Sequence, residues 1–479
     1  MNMRTRRYEK KIEMWSITAG CLLFGAGLFT AASALAAPSV TTQDMLYSDA
    51  TVIDGTGAPP RPHQDILVRG QRILAIAPHG TIPAAAAAHS MDVSNRFIIP
   101  GLIDSHVHLE TPPNNPQARA VLRRDLYGGV TAVRDMADDL RPVAELTREA
   151  LAGEIAAPDI YYAAFVAGPS FFKDPRIIAT NLGMTPGRSP WMQAITRDTN
   201  IPEAITLARG TSATGLKIYA DLTPDLVSKL AREAHRQHLL VWAHGVVFPT
   251  SPAQVIASGV DVVSHVCYLG FQHDTVIPAL YEDHARVNET LFAKEGDDPL
   301  VGSLLREMKR RGQILDATGR VFVGTDAARV VDPTVPMQRC SGALVTRLTR
   351  QAWRTGVAIS TGTDGIAQYD HDWPEVDDEL LFLARDVGMP PLQVLHSATL
   401  VGAEAAGQER DMGSLEAGKL ANFVILRSDP SADIRNIRSV EATVKRGRIY
   451  SRADYQPSTK AEIVDSGFPV SPEKDWTVR

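Results

Sequence analysis

The sequence predicts an α/β fold: a (β/α)8 TIM barrel carrying a small β-sandwich domain assembled from its N- and C-terminal segments. Three observations predict it. Strand-like and helix-like stretches alternate through residues 99–405, with eight strands in about 300 residues, the pattern and size of a closed parallel barrel. Short alternating strands broken by turns fill residues 41–98, and the same texture returns over 406–452, so both ends of the chain are expected to build one β unit. No G-x-G-x-x-G follows the first barrel strand, which counts against a doubly wound open sheet, the competing arrangement.

The 479 residues are 44% hydrophobic and 22% charged, which excludes a wholly disordered, collagen-like or coiled-coil chain. A formal net charge of −6 gives no reason to expect nucleic-acid binding. Residues 1–36 read as a secretory signal peptide: Arg4, Arg6, Arg7, Lys10 and Lys11 form a basic start, an apolar run covers 15–35, and Ala34-Leu35-Ala36 supplies a small-x-small cleavage site. An uncleaved anchor is the alternative, because the run is nearly long enough to span a bilayer. The expectation is an exported protein, periplasmic or secreted, with no membrane attachment after cleavage. Beyond residue 36 only Cys267 and Cys340 remain, so at most one disulfide is available. A homo-oligomer is compatible with the sequence, which does not specify one.

In the first β segment, Thr51-Val52-Ile53 precedes Asp54-Gly55, Ile66-Leu67-Val68 precedes Arg69-Gly70, and Ile73-Leu74-Ala75-Ile76 precedes a proline. The alanines at 84–88 read as a loop or frayed turn. Barrel strands are expected at 97–107, 129–135, 159–166, 215–220, 239–244, 260–266, 313–317 and 357–363, with amphipathic helices such as 224–237, 252–258 and 342–355 between them. Residues 422–426, 440–445 and 448–450 complete the β unit, and the polar 453–479 reads as a loose extension.

The first barrel strand ends Asp104-Ser105-His106-Val107-His108. Alternate side chains of a strand share a face, so His106 and His108 point the same way and both imidazoles can reach one metal ion. Strand four carries Lys217 and then Tyr219, strand five ends at His244, strand six at His265, and strand eight runs Thr361-Gly362-Thr363-Asp364. These residues converge on the C-terminal mouth, where barrel enzymes keep their active sites. Tyr219 shares parity with Lys217 and is read as a hydrogen-bond donor to a substrate carbonyl, with a tyrosine packed at the rim as the bland alternative. Tyr268, His273 and Arg188 lie in loops after strands six and three and read as substrate contacts or, more often, as plain loop residues, and His235, His238 and His396 read as structural or surface histidines. Gly324-Thr325-Asp326 repeats the strand-eight tripeptide but follows strand seven closely and is set aside. Arg134 and Asp135 are expected as a rim ion pair, and Cys267 is not expected as a ligand beside nitrogen and oxygen donors.

Three stretches carry a resemblance: 99–108, ending His106-Val107-His108; 127–135, Tyr127 through Asp135; and 413–424, Gly413 through Val424. On these the sequence resembles the metal-dependent amidohydrolase superfamily, in its imidazolonepropionase-like and dipeptidase-like branch, from about residue 50 to 450. Asn422 stands where the family usually has Asp, and Ser264 where it often has Glu; neither is a metal position. The resemblance implies that His106, His108 and Asp364 bind one divalent ion, with zinc the expected metal. His244 and His265 would bind a second, with Lys217 bridging both as a carbamate. It also implies a metal-bridging hydroxide as nucleophile and Asp364 as the group that takes its proton and delivers it to the leaving nitrogen. A one-metal version would use His106, His108, His244 and Asp364 with Lys217 unmodified. The implied reaction is amide hydrolysis in a small molecule, a dipeptide or an N-acyl amino acid. Hydrolysis of cyclic amides, lactones or phosphotriesters, and a catalytically silent binding barrel, are the alternatives.

Overall fold

The structure, a computed structural model, describes residues 44–462 except 112, 182, 293–295, 365–370 and 460. The expected signal segment lies outside the described residues.

Eight strands run parallel in chain order: Leu102–Val107, Val130–Asp135, Asp159–Ala167, Gly215–Ile218, Leu240–His244, Val262–Ser264, Ile314–Asp316 and Ala358–Ser360. The residues just after strand eight bring its end back to strand one. Ser105 N–H donates to Thr361 O at 2.8 Å, Asp364 N–H donates to His106 O at 2.9 Å, and the Thr361 hydroxyl donates to Ile103 O at 3.0 Å. These bonds close the barrel and place the Asp364 backbone directly beside His106. Strand residues such as Leu216, Ile218, Val241 and Val263 are fully buried, as expected where helices cover the outer face and side chains fill the interior. Helix Gly342–Thr355 shows how local sequence bounds an element: the Ser341 hydroxyl accepts from Leu344 N–H at 3.1 Å, and Gly356 ends the helix at φ +82°.

The second sheet has eight strands, and both ends of the chain build it. Its order is Arg448–Ser451, Val440–Lys445, Phe423–Leu426, Phe97–Pro100, Met45–Val52, Arg61–Arg69 and Arg72–Pro78, with His89–Asp92 added beside Met45–Val52. Tyr47, Ile66, Val68, Phe423, Ile425 and Val444 form its own core. Lys445, buried to 3% exposure, ties this sheet to the barrel: its ammonium donates to Ala150 O and Ala157 O and lies 2.9 Å from Asp159.

Two expectations change. The stretch 97–107 reads as one strand but is two, Phe97–Pro100 in the terminal sheet and Leu102–Val107 in the barrel. The chain crosses between them at Gly101, where a Cβ would stand 2.0 Å from the Thr131 hydroxyl, so only glycine fits the crossing. The C-terminal extension, as far as it is described, is docked rather than loose. The Tyr455 ring lies 5.9 Å from Tyr127 and 4.2 Å from the Arg452 guanidinium, and Arg123 holds Glu462 through two nitrogens. Among the described residues, no helix is long and apolar enough to cross a membrane.

Candidate metal centre

Barrel strand one and the segment after strand eight bring the first group together. His106 Nε2 lies 3.2 Å and His108 Nε2 3.5 Å from the same oxygen, Asp364 Oδ1. The other oxygen, Asp364 Oδ2, lies 3.5 Å from His265 Nδ1. Ligand atoms of His106, His265 and Asp364 all fall within 4.8 Å of one another, and His108 joins them through Asp364. The His244 ring lies 5.0 Å from His265 and 4.0 Å from Tyr219. Lys217 is wholly buried on strand four, its neighbours in register being Phe165 and Trp242. The residues singled out at five strand ends therefore share one mouth, with His106, His265 and Asp364 as the tightest group.

Electrostatics separates the imidazoles. Burial drives His244 and His106 below the ordinary histidine value and His265 down to about 3, so each is neutral, the state that offers a lone pair. Burial opposes the charged form of His108 as well, but Asp138 and Asp364 outweigh it and push its pKa up to about 10. Asp364 is held below the carboxylate range against the opposing effect of burial, because His106, His265 and His108 face it. Two carboxylates acting on His108 make a field that attracts a cation in place of its proton.

A carboxylate that sequence reading passed over organises this group. Asp316, at the end of strand seven, accepts from His106 Nδ1 at 2.7 Å and from the Ser264 hydroxyl at 3.0 Å. The first bond fixes the His106 tautomer with Nε2 turned toward Asp364. Parity at the strand end places Asp316 at the same mouth, but its role depends on His106, 210 residues away in the chain. Thr318 plays a similar part for His265, 2.8 Å from its Nδ1.

Arg134 and Asp135 do not form the expected rim pair. Neighbouring strand residues point to opposite faces. Arg134 is fully buried, its Nη2 3.3 Å from Asp316, its Nε donating to Ser105 O, and its guanidinium 4.6 Å from the Trp242 ring. Asp135 instead accepts from Leu109 N–H. Of the three loop residues, Tyr268 packs on the site with its ring 5.1 Å from His265 and 5.3 Å from His244. His273 pairs with Asp298, His235 with Asp261, and His396 with Gly55 O. Arg188 is the exposed first residue of a two-residue strand, Arg188–Ser189. Asp326 lies on helix Gly319–Val331 and accepts from Gly342 N–H. Cys267 is bonded to Cys340 and offers no thiolate.

The Amidohydrolase family profile matches residues 97–450, from the last strand before the barrel to the end of the terminal sheet. The chain belongs to the amidohydrolase family. Over 65 residues it is 46% identical to a D-aminoacylase of Alcaligenes xylosoxydans xylosoxydans, a stretch covering 14% of this chain and 13% of that relative. Over 95 residues it is 34% identical to a D-hydantoinase of Streptomyces coelicolor, covering 19% of this chain and 20% of the relative. These matches thus span a fifth or less of either relative. Among solved structures, a Xaa-Pro dipeptidase with bound methionine in its active site superposes with a TM-score of 0.67 at 20% identity, over 85% of this chain and 100% of that one, a likeness of fold.

Amidohydrolases are generally metal-dependent, and the residues of this one fit such an ion. The Lys217 ammonium nitrogen and His244 Nδ1 are buried polar atoms that no described residue hydrogen-bonds. Burial pulls the Lys217 pKa down to about 7, so the amine is available in neutral form. An orphaned amine and an orphaned imidazole nitrogen in one buried mouth are costly unless a further group satisfies them.

Proposed function

We propose that this amidohydrolase is an exported binuclear metallohydrolase that cleaves the C–N bond of a dipeptide or N-acyl amino acid. His106, His108 and Asp364 would hold one divalent ion and His244 and His265 a second, with Lys217 as a bridging carbamate and zinc the expected metal. The observation that carries this reading is the Lys217 amine, buried without a protein partner beside two neutral histidines. A divalent pair bound there supplies an activated water and polarises the scissile carbonyl.

The chain's own groups do the rest. Asp364 Oδ2 takes a proton from the attacking water as the new C–O bond forms, then returns it to the leaving nitrogen as the C–N bond breaks. Asp316 holds His106 in one tautomer throughout. Tyr219, whose ring packs on His244, donates its phenol hydrogen to the carbonyl oxygen where negative charge develops. The relatives' names support the bond type: a D-aminoacylase and a Xaa-Pro dipeptidase act on open amides. The D-hydantoinase favours a second reading, a cyclic amide taken by the same site.

Export is supported by the basic and apolar pattern of residues 1–36 and by the Cys267–Cys340 bond, which suits an oxidising compartment. The test is metal analysis of purified protein together with turnover of dipeptides, N-acyl amino acids and hydantoins, with and without chelator. Two equivalents of metal and chelator-sensitive hydrolysis of open amides are expected. One equivalent with an unmodified lysine overturns the binuclear site, and absence of chelator-sensitive turnover overturns the activity.

A further inference from the structure

Beside His244 the barrel mouth is walled by three tyrosines. From the His244 ring, Tyr219 lies 4.0 Å away, Tyr268 5.3 Å and Tyr281 6.3 Å. Each comes from a different segment: the end of strand four, the turn after strand six, and the short helical turn Tyr281–Asp283 in the loop that follows. A guanidinium closes this wall. Arg339 stands with its Cζ 4.5 Å from the Tyr281 ring centroid and 6.0 Å from that of Tyr268, and is tethered by Nη1 to Ala285 O at 2.6 Å and by Nη2 to Tyr281 O at 2.9 Å.

Charge balance distinguishes this arginine from its neighbour. Arg176 also approaches the Tyr281 phenol, but Asp174 matches its charge at 2.5 Å. Among the described residues no carboxylate pairs with Arg339, whose polar partners are the two backbone carbonyls and the phenol oxygens of Tyr281 and Tyr268. The wall next to His244 therefore carries an excess positive potential. Arg339 is only partly buried, and its five N–H donors are shared among neutral acceptors, two carbonyls and two phenols, none of which matches its charge. A guanidinium held on aromatic faces with no carboxylate of its own selects one from a ligand.

We propose that Arg339 is the specificity-determining residue of this site, receiving the free carboxylate of the substrate's amino-acid portion while the scissile amide lies against the histidines. This inference rests on the function proposed above and names the substrate class within it: amides whose leaving amine carries a carboxylate.

The experiment compares N-acyl amino acids with the matching N-acyl amines, identical except for the missing carboxylate, on the metal-loaded wild-type enzyme, R339Q and R339K. The acids are expected to be favoured about 10- to 100-fold in kcat/KM, the worth of a charge-assisted hydrogen bond. R339Q removes that preference by raising KM for the acids alone, and R339K restores part of it. Equal kcat/KM for acids and amines in the wild type overturns the inference while leaving amide hydrolysis standing, and this comparison needs no variant to fold. An equal loss on both classes in R339Q also overturns it, because Arg339 then only holds the 281–285 loop. Absence of hydrolysis of either class removes the underlying reading and the inference with it.

Discussion

His106 has two ring nitrogens and a separate use for each. Nδ1 is committed to Asp316 at 2.7 Å, so Nε2 is presented to Asp364 without rotating. Partners that orient a ligating histidine in this way are worth roughly 10- to 100-fold in metal affinity. Asp316→Asn keeps the shape but weakens the acceptor. We expect metal affinity to fall by about that factor while the circular dichroism spectrum is unchanged, as measured by competition with a chelator of known strength; unchanged affinity would show that Asp316 serves only Arg134. Asp316 also shows why one residue escaped the sequence. Its position at a strand end is visible there, but its importance comes from a histidine 210 residues away, and no periodicity encodes that distance.

At the scale of elements, the helix Gly319–Val331 begins over a buried acid. Glu379 accepts Gly319 N–H at 3.1 Å and Arg320 N–H at 2.7 Å, satisfying two amides that a helix start leaves open. Burial nevertheless dominates and pushes the Glu379 pKa from 4.5 up to about 7. The folded chain therefore binds this proton more tightly than the unfolded one. The stability gained is full below about pH 4.5 and is lost as pH rises through about 7. E379Q does not titrate. Its stability measured against the wild type is expected to improve by up to about 3 kcal/mol between acidic and mildly alkaline pH, as read by denaturant melts at each pH. Parallel curves would show that the carboxyl is not pushed up. The helix expected over 342–355 has those bounds in the structure, where Ser341 caps it and Gly356 stops it. The strand 97–107 was not divided correctly, because both halves are apolar and only the close approach of Gly101 to Thr131 separates them.

At the scale of the molecule, the Cys267–Cys340 bond joins the turn behind His265 to the start of helix Gly342–Thr355 across 73 residues. A loop of that length constrains the unfolded chain by about 4 kcal/mol. The double variant C267A/C340A is expected to lose most of that, with reversible denaturation as the measurement, and the wild type should lose a like amount in strong reductant. Equal stability with and without the bond would show that it adds nothing to the fold.

The sequence by itself determined the barrel, the sharing of the second sheet between both chain ends, and the strand-end positions of His106, His108, Lys217, His244, His265 and Asp364. Those depend on alternation along a strand and on the apolar cover of parallel strands, which are local properties written in neighbouring residues. Only the tertiary structure decided that Asp316 orients His106, that Arg134 is buried under Trp242 instead of lying at the rim, that Tyr268 faces the histidines, and that Arg339 closes the tyrosine wall without a carboxylate of its own. Each of these is a contact between side chains far apart in the chain. Coulomb and hydrogen-bond energies depend on separation in space, which is set when the barrel closes.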